Sequence, residues 1–105
     1  MGREPDAHVR QFIDSLKRDF RLDKVILFGS RTTGTWLNDS DYDLIIVSPD
    51  FAGVAFIKRM AVVYRYWQAD VPLEALCYTP EEFEKKSGRI GIVGEAIRTG
   101  IEIAA

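Results

Sequence analysis

The sequence predicts an α/β or α+β domain built around one small sheet, and three observations carry that prediction. Segments with helical spacing alternate with short β-branched runs, one connection has the length of a crossover helix, and a complete helix-capping signal follows the third strand-like run. Length sets the scale: 105 residues close one core and leave nothing for a second, so residues 1–105 are read as a single domain.

From Asp6 to Phe20, the residues Val9, Phe12, Ile13, Leu16 and Phe20 fall on one stripe of an amphipathic helix. Lys24 to Phe28 is a β-branched and aromatic run that stops at Gly29, which predicts a strand ending where the backbone needs freedom. Ser30 to Ser40 carries Gly34, several Thr and Ser residues and the Asn38-Asp39 pair, the composition of a turn or short helix followed by a loop. Tyr42 to Val47 is the second strand.

Phe51 to Trp67 spaces Val54, Ile57, Met60, Ala61, Tyr64 and Trp67 as a helix does, and the segment is long enough to cross between two strands. The third strand is Leu73 to Tyr78. In Thr79-Pro80-Glu81-Glu82, Thr79 is the N-cap, Pro80 takes the first helical position and Glu82 reaches back, which starts a helix. Ile90 to Thr99 forms another helix, ended by Gly100, and Ile101 to Ile103 offers an edge strand.

Composition excludes several roles. A net charge of −2 gives no basic footprint for nucleic acid, and Lys17, Arg18, Arg21 and Lys24 read as charges that keep one helix end solvated. No apolar run is long enough to cross a bilayer and the N-terminus has no secretory pattern, so the expected location is the cytoplasm. Cys77 is alone and reads as a small buried residue. His8, the one histidine, reads as a surface residue of the first helix. Tyr64, Tyr66 and Trp67 read as packing for the crossover helix, while Trp36 either fills a gap under its loop, covers a nucleotide base or meets a partner.

The stretch with chemistry in it is Phe28 to Leu44, FGSRTTGTWLNDSDYDL. On a strand, the period-2 spacing of Asp41 and Asp43 turns both carboxylates to one face, roughly 7 Å apart at the backbone. Paired oxygens of this kind suit a hard divalent cation, and Mg²⁺ in particular binds one or two carboxylates together with substrate phosphates. Gly29 lets a ligand approach the backbone, and the Ser30 hydroxyl with the amides that follow, where the turn opens a helix, offers an anion site, to which Arg31 either adds charge or, in register, faces solvent. Taken alone, Asp-x-Asp is more often a turn or cap; its combination with Gly-Ser at the ends of two neighbouring strands is what points to a site.

This run resembles the signature of the DNA polymerase beta-like nucleotidyltransferase superfamily, and most resembles its minimal prokaryotic branch. Phe28-Gly29-Ser30-Arg31, Gly34 and Ser40-Asp41-Tyr42-Asp43-Leu44 carry the resemblance, which extends over nearly the whole chain. It implies a small mixed sheet flanked by helices and a third carboxylate on a later strand. Glu74 is the candidate; many relatives have Asp there, and Glu is one methylene longer. Asp70 competes for the role but precedes Val71-Pro72, which assigns it to the connecting turn. Thr33 stands where relatives of this branch often have a basic residue.

The implied chemistry is transfer of a nucleoside monophosphate, AMP if the substrate is ATP rather than another nucleoside triphosphate. Asp41, Asp43 and Glu74 would hold two Mg²⁺ ions, and Gly29, Ser30 and Arg31 would hold the nucleotide. The chain is too short to build its own acceptor domain, and single-domain relatives are commonly paired with a helical HEPN-type protein in toxin–antitoxin modules. The expected partner is therefore such a protein, with homo-oligomerisation as the other use of an exposed aromatic patch. A non-catalytic nucleotide-binding or partner-binding regulatory module is the alternative reading.

Overall fold

The computed structural model of the chain describes residues 7–28, 42–88 and 91–103. Its order is helix α1 (Ala7–Lys17), strands β1 (Lys24–Phe28) and β2 (Tyr42–Val47), a 3₁₀ turn (Pro49–Phe51), helix α2 (Phe56–Tyr64), strand β3 (Leu73–Tyr78), helices α3 (Pro80–Ser87) and α4 (Ile92–Thr99), and strand β4 (Ile101–Ile103). The sheet is mixed and ordered β3-β2-β1-β4, with β1 antiparallel to β2 and β4 and β2 parallel to β3. The parallel pair requires a crossover, which the segment containing α2 supplies.

Strand alternation sorts the core into two layers. On one face Val25, Leu27, Leu44, Ile46, Ala75 and Cys77 pack under α1 and α2. On the other, Ile26, Ile45, Val47 and Tyr78 meet Val93 and Ala96 of α4, with Phe83 of α3 at the margin. β2 is covered on both faces and is apolar except at Asp43, as a central strand with helices on either side must be.

The three long strands have the expected bounds; the helices are shorter than their apolar spacing predicts. α1 ends at Lys17 because the chain tightens, with the Arg18 and Asp19 amides bonding the carbonyls of Ser15 and Leu16 three residues back. Phe20 nonetheless packs where the stripe points, 5.6 Å from Phe51 and 5.9 Å from Tyr66 between ring centres. The crossover segment splits at Gly53, whose φ of +84° no helix accommodates. Upstream, the Ser48 hydroxyl accepts from the Asp50 amide and Pro49 opens the 3₁₀ turn.

The buried face of α2 corrects the expected stripe. Ile57 is 83% exposed and Tyr64 46%, whereas Val63 and Arg59 are buried. The physical reason is Arg59. Its Nε donates to the Val54 carbonyl at 2.9 Å and its Nη1 to the Cys77 carbonyl at 3.1 Å. Both terminal nitrogens also reach Glu82, at 2.6 and 3.3 Å. A guanidinium so satisfied is tolerated inside, and it turns the helix face accordingly. Glu82 simultaneously completes the predicted capping box with Thr79. The Arg59 bond, followed by the Thr79 amide, holds the Glu82 carboxyl below the usual carboxylate range.

Candidate active site

The site is built by register. Phe28 of β1 pairs with Asp43 of β2, and Asp43 pairs with Glu74 of β3, so the three form one row across the sheet. Register partners project to the same face, and adjacent strands lie about 4.8 Å apart. Asp43 and Glu74 are therefore neighbouring carboxylates on the face that α3 and α4 cover further along. Asp43 is half-buried and Glu74 is exposed. β2 and β3, being parallel, both begin at this end of the sheet, which is also where β1 delivers the chain to Gly29.

Local sequence explains why these strands start here. The Tyr42 amide donates to the Pro72 carbonyl at 3.0 Å, the first rung of the β2/β3 ladder. Pro72 has no amide to offer and stands just ahead of β3, a position that suits proline. Asp70 is exposed in the turn before β3 and outside the row of carboxylates. Of the residues the sequence assigned to the site, Asp43 and Glu74 are brought together. Gly29, Ser30, Arg31 and Asp41 lie outside the described residues, as do Thr33, Gly34 and Trp36.

Among the described residues no group of three or more His, Cys, Asp or Glu side chains is gathered. Asp43 and Glu74 are neighbours by strand register. Their chemistry fits a divalent cation: both are hard oxygen donors, and the exposure of Glu74 leaves room for water and phosphate oxygens in the same shell. Cys77 takes no part. Burial pushes its thiol up to about 12, which keeps it protonated and inert.

Residues 9–98 match the nucleotidyltransferase domain family. The chain belongs to that family. Nucleotidyltransferase domains generally use nucleoside triphosphates and divalent cations. Among solved structures, the chain is similar to a proposed nucleotidyltransferase from Sulfolobus solfataricus, at a TM-score of 0.54 and 23% identity over 81% of this chain and 84% of that one. It is also similar to BolA1 from Arabidopsis thaliana, at a TM-score of 0.59 and 17% identity over 74% of this chain and 98% of that one. At these identities the likeness shows the arrangement of helices and strands alone, and the activity rests on the family match. No curated protein sequence matches the chain significantly.

Sequence reasoning missed Arg59 and the role of Trp67. Arg59 had a signal: it stands four residues before Val63 and eight before Trp67, on the stripe that is buried. A cation on that stripe calls for an acidic partner, and Glu82 was already marked by the capping box. Among the described residues no helix is long and apolar enough to cross a membrane.

Proposed function

We propose that this nucleotidyltransferase domain transfers AMP from ATP to a hydroxyl on a separate helical protein of the HEPN type, acting as the antitoxin of a toxin–antitoxin pair. The observation that supports it most is the Asp43 and Glu74 register pair at the end of the sheet where β1 leads into Gly29-Ser30-Arg31. Asp41, two residues ahead of Asp43, supplies the third carboxylate. Asp41, Asp43 and Glu74 together would hold two Mg²⁺ ions, which when bound neutralise charge on the triphosphate and on the attacking and leaving oxygens.

The rest is the work of the chain. Asp41 and Asp43 fix the triphosphate end, while Gly29 and Ser30 hold phosphate oxygens through backbone amides and a hydroxyl, with Arg31 adding positive charge. Glu74, the more exposed carboxylate, faces the incoming acceptor and takes its hydroxyl proton. The acceptor oxygen then bonds to the α-phosphorus as the bond to pyrophosphate breaks, a reaction governed by positioning and electrostatics.

Co-expression with the neighbouring open reading frame, followed by co-purification and intact mass of the partner with and without ATP, tests the proposal. A mass gain of one or more AMP units that disappears with Asp41→Asn supports it. Stable binding without a mass change favours a regulatory binding module, and neither binding nor modification sinks the paired-partner idea.

A further inference from the structure

β3 is an edge strand of the sheet, and it carries Glu74. Carbonyls along a strand point alternately to its two sides. The Pro72 and Tyr78 carbonyls accept from β2 and the residue after it, through the amides of Tyr42 at 3.0 Å and Ser48 at 2.9 Å. The Cys77 carbonyl, in the strand, points the other way, Val71 lies in the turn two residues ahead of β3, and side chains bind the carbonyls of both. Trp67 Nε1 donates to Val71 at 2.7 Å, and Arg59 Nη1 donates to Cys77 at 3.1 Å. The crossover segment thus staples β3 near its far end through Arg59 and, through Trp67, the turn that leads into its carboxylate end.

The Trp67 ring is itself fixed. It is 8% exposed, with ring centres 5.3 Å from Phe12 and 5.1 Å from Tyr42, both near edge-on. Tyr42 immediately precedes Asp43, and Val71-Pro72 leads into Leu73 and Glu74. One side chain therefore touches the backbone or ring just ahead of each carboxylate, from the opposite face of the sheet.

We infer that Trp67 is a positioning residue for the Asp43 and Glu74 pair, holding the starts of β2 and β3 in the register that presents both carboxylates to one cation. The inference rests on the nucleotidyl-transfer reading of that pair. Trp67→Phe keeps a ring against Tyr42 and removes the indole N–H together with part of the buried ring volume. Phe12→Leu is the control: it loosens the same aromatic cluster and leaves the N–H in place.

Mn²⁺ serves as the spin probe, titrated against the full chain with a non-hydrolysable ATP analogue, alongside native-state exchange of the Tyr42 amide, which reads folded molecules and reports the first β2/β3 rung. Trp67→Phe should weaken Mn²⁺ binding about three- to tenfold, the size of one hydrogen bond, and speed Tyr42 exchange. Phe12→Leu should leave Mn²⁺ binding unchanged at a comparable loss of melting temperature. Unchanged Mn²⁺ binding in Trp67→Phe overturns the inference, as does equal weakening by both variants, which would mean general loosening. If the parent protein binds no Mn²⁺ at all, the carboxylate site itself is refuted and the inference falls with it, and that failure is separately visible in the parent titration.

Discussion

Asp43 and Glu74 are register partners on adjacent parallel strands, although a whole crossover segment separates them along the chain. Bringing two acidic residues to neighbouring positions costs stability through like-charge repulsion, which a fold selected for packing alone would avoid. A divalent cation held between them, as proposed, would convert that cost into affinity. The arrangement is also directional, because Asp43 is half-buried and Glu74 is exposed, so the pair has a protein side and a solvent side.

Replacing Asp43 with Asn should reduce nucleotidyl transfer on the order of 10²-fold or more, since it removes a proposed ligand from the group that would position the triphosphate. The fold should survive, with melting in metal-free buffer shifted by no more than about 1 kcal/mol. Asp70→Asn, in the exposed turn, should transfer at the parental rate. Rates with saturating Mg²⁺ and thermal melts of the three proteins check this, and a fast Asp43→Asn variant refutes the carboxylate site.

The strand bounds were legible because each run is short and largely apolar, β-branched in the first two, and closes at a residue with a local reason to stop: Gly29, Ser48 or the Thr79 cap. The pairing of Asp43 with Glu74 was legible only as a requirement of the resemblance, since register is set by contacts between distant strands. The face of α2 was misread for a related reason. Ile57 and Tyr64 have the right spacing for burial, but a buried Arg59 needs the carbonyls of Val54 and Cys77 and the carboxylate of Glu82, and these lie on the other side. Spacing alone does not reveal a polar network that long-range contacts satisfy.

That network predicts an acid-sensitive step in stability. The folded-state pKa of Glu82 is depressed below its ordinary value of 4.5, chiefly by Arg59, so its contribution is fully present above that value and is lost as pH falls through the folded pKa. Glu82→Gln should therefore flatten this acid limb of the stability curve. At neutral pH it should cost on the order of 2 kcal/mol, the worth of charge-assisted bonds to a guanidinium that is otherwise enclosed. Denaturant melts from pH 3 to 7 would show it; parallel curves for the two proteins would assign the acid loss to other carboxylates.

Gly100 joins α4 to β4 where the chain runs against β1. A Cβ there would lie 2.7 Å from Ile26 Cγ2 and 2.9 Å from the Leu27 carbonyl oxygen, and backbone does not yield as a side-chain tip does. Gly100→Ala should destabilise by about 1–3 kcal/mol and disturb the β1/β4 pairing, seen as faster exchange of amides in Ile101–Ile103. Gly88, around which an added Cβ meets nothing within 4 Å, provides the control, and Gly88→Ala should melt like the parent.

Glu74 separates binding from turnover. It is the solvent-side member of the pair, at the start of an edge strand, and its proposed work concerns the acceptor hydroxyl and not the triphosphate. Glu74→Gln keeps the side-chain length and removes the charge and basicity, so it should lose turnover on the order of 10²-fold while changing the dissociation constant of a non-hydrolysable ATP analogue by less than about threefold. Glu74→Asp keeps the charge but withdraws it by one methylene, and should fall between the parent and Glu74→Gln in turnover. Single-turnover rates and analogue titrations on the three proteins distinguish the roles. If Glu74→Gln instead loses the analogue and the little that remains bound reacts at the parental rate, Glu74 belongs to the triphosphate side, and the acceptor proton must go to another base.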